Sequence, residues 1–215
     1  MTTALLATTY FGPVQWYQKL YRYDKVQIEC CETFVKQTYR NRSLIATTQG
    51  VQALTVPVRS EKLSAKGEEL ALISDHGNWR HLHWQALQSA YGDSPFFEYY
   101  EDDLRPFFTE HRWERLLDFN EAIRKKMCEL LDIHPHVEYT TTFLPPTAVV
   151  GTVQSPIADF RAAIHPKHPQ PDADFVAPPY YQVFAAQHGF LPNLSIADLL
   201  FNMGPESLLV LQKSR

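Results

Sequence analysis

Apolar residues change their rhythm along this chain, and each rhythm predicts a different kind of element. Residues 4–9 form a short apolar run that reads as a buried strand. Tyr10-Phe11-Gly12-Pro13 follows at once: Gly12 suits a turn, and Pro13 suits the first position of a helix reaching about residue 22. Val26, Ile28 and Cys30 then alternate with Gln27, Glu29 and Cys31, the period of a half-buried strand. Leu44 to Ala46 and Val51 to Val58 are further strand candidates around the turn Thr48-Gln49-Gly50. Spacings of three and four take over in the middle. Trp79, Leu82, His83, Ala86, Leu87, Ala90 and Tyr91 predict a helix with Asn78 as its N-cap. Ser94-Pro95 has the form of a cap and a helix-opening proline. Trp113, Leu116, Leu117, Asn120, Ile123, Met127, Leu130 and Leu131 mark the clearest amphipathic helix, ending near Asp132. In Ser195-Ile196-Ala197-Asp198 the serine caps a last helix, with Asp198 expected to reach back to the cap amide, and Gly204-Pro205 stops it.

A strand, a helix and several further strands in close succession predict an α/β fold: an N-terminal mixed β-sheet with packed helices, then helical middle and C-terminal segments. Between Leu144 and Pro179 the character shifts, because eight of the 15 prolines sit at 145, 146, 156, 166, 169, 171, 178 and 179. Long regular elements are excluded there, so about 144–179 is expected as a long Pro-rich loop, packed over the body or acting as a lid. With no internal repeat and no clean linker, residues 1–215 read as a single domain.

Composition adds three constraints. A chain that is 45% hydrophobic and 20% charged, with mean hydropathy -0.30, is ordinarily globular. Cys30, Cys31 and Cys128 offer no disulfide framework, since adjacent cysteines bridge only with strain; this fits a reducing compartment. The opening residues lack a basic segment and a long apolar core, and no apolar run is long enough to span a bilayer, so a cytoplasmic protein is expected.

Candidate chemistry centres on Lys36-Gln37-Thr38-Tyr39-Arg40-Asn41-Arg42. If the segment is extended, Lys36, Thr38, Arg40 and Arg42 share one face. Guanidinium forks suit phosphate or carboxylate, and a local basic face on a chain of net charge -4 points to a small anion, not to nucleic acid. The competing reading is a solvated edge strand protected by its charges. The strand–helix turn at Gly12 would add helix N-terminal amides. Arg161, His165 and Lys167 form a second cationic patch in the Pro-rich stretch. His83 is the candidate for proton transfer, against the alternative of a satisfied core histidine. Cys31 is a candidate nucleophile only with a cation or histidine close by. His76, His81 and His83 lack partners at ligand spacing, so no metal is expected, and nothing calls for another cofactor.

Several segments resemble the WbqC-like protein family: Thr9 to Pro13, Tyr17 to Leu20, Asp24-Lys25, Lys36 to Arg42, Thr55 to Val58, the Trp79–Tyr91 helix, and Asn193 to Gly204. Where many members carry Gln-Pro before the first turn, this chain reads Thr8-Thr9. Where many carry paired acids after the second strand, it reads Cys30-Cys31, so no role of those acids carries over. The resemblance implies a cytoplasmic enzyme of bacterial surface-polysaccharide (O-antigen-type) biosynthesis, acting on an activated sugar and transferring an aminoacyl group such as glycine to an amino sugar. A non-catalytic binding or assembly module for an anionic glycan precursor or a protein partner is the alternative. For a nucleotide-sugar, Lys36, Arg40 and Arg42 would hold the anion. Gln15 and Asn41 would orient polar groups, and Tyr10 and Trp16 would shape the pocket.

Overall fold

The computed structural model describes residues 2–31, 34–62, 69–110, 112–145 and 157–214. The chain runs β1 (Thr3–Ala7), α1 (Val14–Arg22), β2 (Lys25–Glu29), β3 (Arg42–Thr47), β4 (Gly50–Thr55), β5 (Val58–Lys62) and β6 (Glu69–Ile73). Helices α2 (Trp79–Tyr91), α3 (Phe97–Leu104), α4 (Pro106–Thr109) and α5 (Leu116–Leu130) follow. After them come β7 (Val137–Tyr139), β8 (Ile157–Asp159), α6 (Ala185–His188), α7 (Ile196–Met203) and α8 (Ser207–Lys213). The α/β class read from the sequence is the observed one. Parallel and antiparallel pairing occur in separate sheets: β7-β2-β1-β8 is parallel throughout, whereas β3–β4 and β5–β6 are antiparallel pairs. The apolar run of β1 lies at the centre of the parallel sheet, where both faces are covered and Ala4, Leu5 and Leu6 are buried.

Four local expectations are corrected. The positive φ of the first turn belongs to Phe11 (φ 41), not to Gly12. Gly12 is required by a close approach instead, since a Cβ there would lie 2.4 Å from Thr9 Oγ1. Asn78 is left-handed and makes no side-chain cap, and Ser94 hydrogen-bonds back to the Tyr91 carbonyl while α3 opens only at Phe97. On α2, Leu82 faces solvent, and Arg80 and Trp84 take the buried positions.

Polar side chains are buried where distant segments supply partners. The face of α1 that carries Gln15, Gln18 and Lys19 lies beneath residues 172–174 and 193. Gln15 Nε2 donates to Asp172 at 2.8 Å, and Gln18 Nε2 donates to the Asp174 carbonyl at 2.9 Å. Asn193 and the Gln15 side chain are joined as well. Lys19 Nζ sits 2.8 Å from Asp172 Oδ2 and over the Phe160 ring, an ion pair by distance although out of line for a good hydrogen bond. Burial lowers the Lys19 pKa, and Asp172 works against that shift. The part of the Pro-rich stretch that is described, 157–179, is therefore packed over the body; 146–156 lies outside the described residues.

Asp198 does not complete a capping box. Ser195 Oγ alone caps, accepting from the Ala197 amide. The Asp198 carboxylate is fully buried and accepts from Tyr91, Tyr180 and Gln182 at 2.8, 2.7 and 3.0 Å, and burial pushes its pKa upward.

Removing one partner of a buried ion pair strands the other charge. Lys19→Ala is expected to lower unfolding free energy by about 3–5 kcal/mol in urea denaturation, and Lys19→Met with Asp172→Asn, which keeps an acceptor for Gln15 Nε2, to recover most of the loss.

Candidate functional site

Parallel sheets bind ligands outside the carboxyl ends of strands where the connections diverge. Here β1 leads through α1 to β2 on one side, whereas the chain leaving β7 returns as β8 on the other side of β1. The divergence falls between β1 and β8. A cleft opens there, lined by Thr8, Thr9, Trp16, Thr38, Tyr39, Arg40, Phe160, Arg161 and Ile164, with Leu6 and Ala7 beneath. Its enclosed space is about 10 Å³, room for one water-sized group such as a single oxygen of a phosphate or carboxylate, and far below the size of a whole cofactor site.

Arg161 is fixed by the sheet itself. Its Nε and Nη2 donate to the two oxygens of Asp159 at 2.9 and 2.6 Å, a bidentate pair with the last residue of β8. Nη1 donates to the Leu144 carbonyl at 2.8 Å and to Glu29 Oε2 at 3.3 Å. Glu29 ends β2 and is buried; it also accepts from Thr140 Oγ1 and from the amides of Cys31 and Leu144. Opposite, Asn120 of α5 donates to Thr8 Oγ1 at 3.2 Å and to the Arg40 carbonyl at 2.8 Å, holding the 38–40 turn against the end of β1.

The two cationic segments meet. Lys167 Nζ donates to Gln37 at 2.6 Å. Burial lowers the His165 pKa, with His168, Arg40 and Lys167 adding to the shift as neighbouring positive charge. Arg40 and Arg161 line one cleft, with His165 and Lys167 beside it. Residues 36–40 form turns instead of extending, so the shared face expected for Lys36, Thr38, Arg40 and Arg42 is not formed. Lys36 is exposed, and Thr38 Oγ1 donates back to the Val35 carbonyl. Arg42 opens β3, away from the cleft lining.

Of the other candidates only Trp16 shares the cleft. Asn41 is buried and holds the Val56 carbonyl, Gln15 is taken up by Asp172 and Asn193, and Trp16 presents its ring to the cleft while Nε1 binds the Ala7 carbonyl. His83 is buried behind the turn with its Nδ1 2.9 Å from the Tyr10 hydroxyl, and Tyr10 stacks on Phe119. Burial brings the His83 pKa down to about 4, with a backbone hydrogen bond to Thr55 opposing weakly. Neither His83 nor Tyr10 lines the cleft. Cys31 is exposed at the end of β2, its Sγ 3.6 Å from the Thr140 carbonyl.

Sequence reasoning passed over Glu29, Asp159 and Asn120. For Asn120 a signal existed, because an amide on the apolar stripe of a helix needs a buried partner. Among the described residues no group of three or more His, Cys, Asp or Glu is arranged to hold a metal, and no helix is long and apolar enough to cross a membrane.

The architecture is that of an α/β protein with a basic cleft at the divergence point of a parallel sheet. The chain belongs to the WbqC-like protein family, whose pattern matches residues 8–152, from the end of β1 past β7. It is 27% identical to the uncharacterized protein Rv1507c of Mycobacterium tuberculosis, in an alignment covering 92% of this chain and 89% of that one. No solved structure matches.

A depressed histidine pKa stabilises the fold above the unfolded value and ceases to as pH falls through the folded value. The unfolded chain takes up the His83 proton below 6.5, the folded chain only near 4. Stability is therefore expected to fall by about 3 kcal/mol between these pH values on account of His83, and His83→Gln to flatten that part of a Tm-against-pH curve.

Proposed function

We propose that the chain is a transferase of bacterial surface-polysaccharide biosynthesis that takes an anionic activated sugar at the cleft between β1 and β8. The observation that carries this reading is the convergence of Arg40 and Arg161 on one concavity with the hydroxyls of Thr8, Thr9 and Thr38. Guanidinium and hydroxyl groups are donors of the kind a phosphate or carboxylate accepts; Arg161, held by Asp159, Glu29 and the Leu144 carbonyl, contributes chiefly its charge, and Thr38 gives its proton to the Val35 carbonyl. Trp16 and Phe160 add apolar surface to the same wall. Family membership supports the polysaccharide context, and aminoacyl transfer to an amino sugar is the reaction proposed for it. The protein acts as one unit in the cytoplasm, on a small molecule and not on nucleic acid.

A second reading, a binding module for an anionic glycan precursor, is favoured by the position of His83. A base must reach the proton it removes, and the histidine is enclosed with Tyr10 instead of facing the cleft.

Ligands that bind the folded chain raise its apparent Tm. Nucleotide-sugars and inorganic phosphate are expected to raise the Tm of the parent protein, and Arg40→Ala to lose that rise with its own fold intact by circular dichroism. No shift with any phosphorylated ligand would defeat the anion-site reading. Turnover with glycine or an aminoacyl donor, measured by mass spectrometry, separates transferase from module.

A further inference from the structure

A second cleft lies along the same edge of the sheet, where β2 and β7 end. It encloses about 550 Å³, within the range of small-molecule sites. Trp113 and Tyr139 form aromatic walls, Leu117 and Ala122 the apolar surface, and Cys30 the end nearest the sheet. Burial pushes the Cys30 thiol up to about 12, so it is a wall and not a nucleophile.

The polar group inside is Glu121, with only 9% of the residue exposed. Its Oε2 accepts from Arg124 Nε at 2.8 Å and from the Tyr139 hydroxyl at 2.6 Å. Among the described residues Oε1 receives no hydrogen bond. One oxygen of a nearly buried, positioned carboxylate is thus left for a donor inside an aromatic cleft. Exposed Lys125 and Arg115, the latter 3.8 Å from Asp118, stand at the rim.

Aromatic faces that offer apolar area, beside an acceptor that rewards N–H or O–H, match a ring with an apolar C–H face and donors around its edge. We infer that this cleft binds a hexose ring, its hydroxyl or amino group donating to Glu121 Oε1 and its face lying against Trp113 and Tyr139. The inference deepens the transferase reading, on which the assignment of the ring to a glycan precursor rests. The two clefts are neighbours through the backbone: Asn120 borders the first while Glu121 lines the second, and Glu29 binds Arg161 while Cys30 lines the second. Such a layout would seat an anionic group and a sugar ring side by side.

Trp113 is the tryptophan that reports on this site, because Trp16, Trp79 and Trp84 are buried. Methyl glycosides of glucosamine, N-acetylglucosamine and glucose are titrated to tens of millimolar while acrylamide quenching of tryptophan is followed, with cyclohexanol as a ring lacking the donors. At least one glycoside is expected to shield Trp113 while cyclohexanol does not. Shielding by glucosamine alone assigns the donor to an amine, and shielding by all three assigns it to ring hydroxyls. Glu121→Gln is expected to weaken binding about tenfold, the scale of one hydrogen bond to a charged acceptor. Ala122→Phe, which fills the cleft without touching Glu121, is expected to abolish shielding. No shielding by any glycoside, equal shielding by cyclohexanol, or indifference to both variants overturns the inference. Arg40→Ala keeps glycoside shielding if this site is real. The phosphate arm can therefore fail alone and remove only the anion reading, and the glycoside arm can fail alone and remove only this one.

Discussion

The candidate site depends on a buried charge held by the ends of two strands. Arg161 is clasped by Asp159 at the end of β8 and reaches Glu29 at the end of β2, across the intervening strand β1. Side chains of Arg161, Glu29 and Asp159 are 7%, 0% and 7% exposed, so removing any one leaves a charge in poor solvent. Two carboxylates also temper the arginine's charge, which makes the cleft less positive than a count of cations implies. The 38–40 turn with Arg40 then adds a cation from the other side, fixed by Asn120. The basicity of the cleft is consequently a matter of placement more than of composition.

Much of this was legible in the sequence. The buried run of β1, the alternation of β2, the turn at Gly50 and the helical spacing of α2 and α5 all rest on local pattern, and local pattern survived. Strands β7 and β8 were not legible, because three residues carry no usable period and their pairing is decided by distant partners. The same cause hid the buried polar groups. Glu29 sits at a position whose neighbours alternate towards solvent, and only Thr140, Leu144 and Arg161, all more than a hundred residues on, make it internal. Lys19 belongs with it: a lysine in a helix reads as surface until Asp172 arrives to cover it.

The cationic segments show the partial success of such reasoning. Residue type located both patches, since guanidinium groups near Thr and Gln side chains are an anion-binding vocabulary wherever they occur. Geometry did not follow, because the 36–40 stretch turns, with Gln37 at φ 62, and so the alternation argument failed there. His83 failed differently: its place on the apolar side of α2 was right, and the enclosure that follows from it gave the residue to Tyr10 and the core. The reading of His83 as a satisfied core histidine is the one its surroundings support.

The central strand has a consequence for biogenesis. β1 is made long before its partner on one edge, residues 157–159, which pair in register Thr3↔Ile157 to Leu5↔Asp159. Until residues 157–159 have been made, β1 has only β2 beside it, and the amides of its other edge stay unpaired towards water or any passing strand. Contacts of such long sequence separation also slow folding. A truncation before residue 157 would leave a permanently open sheet edge.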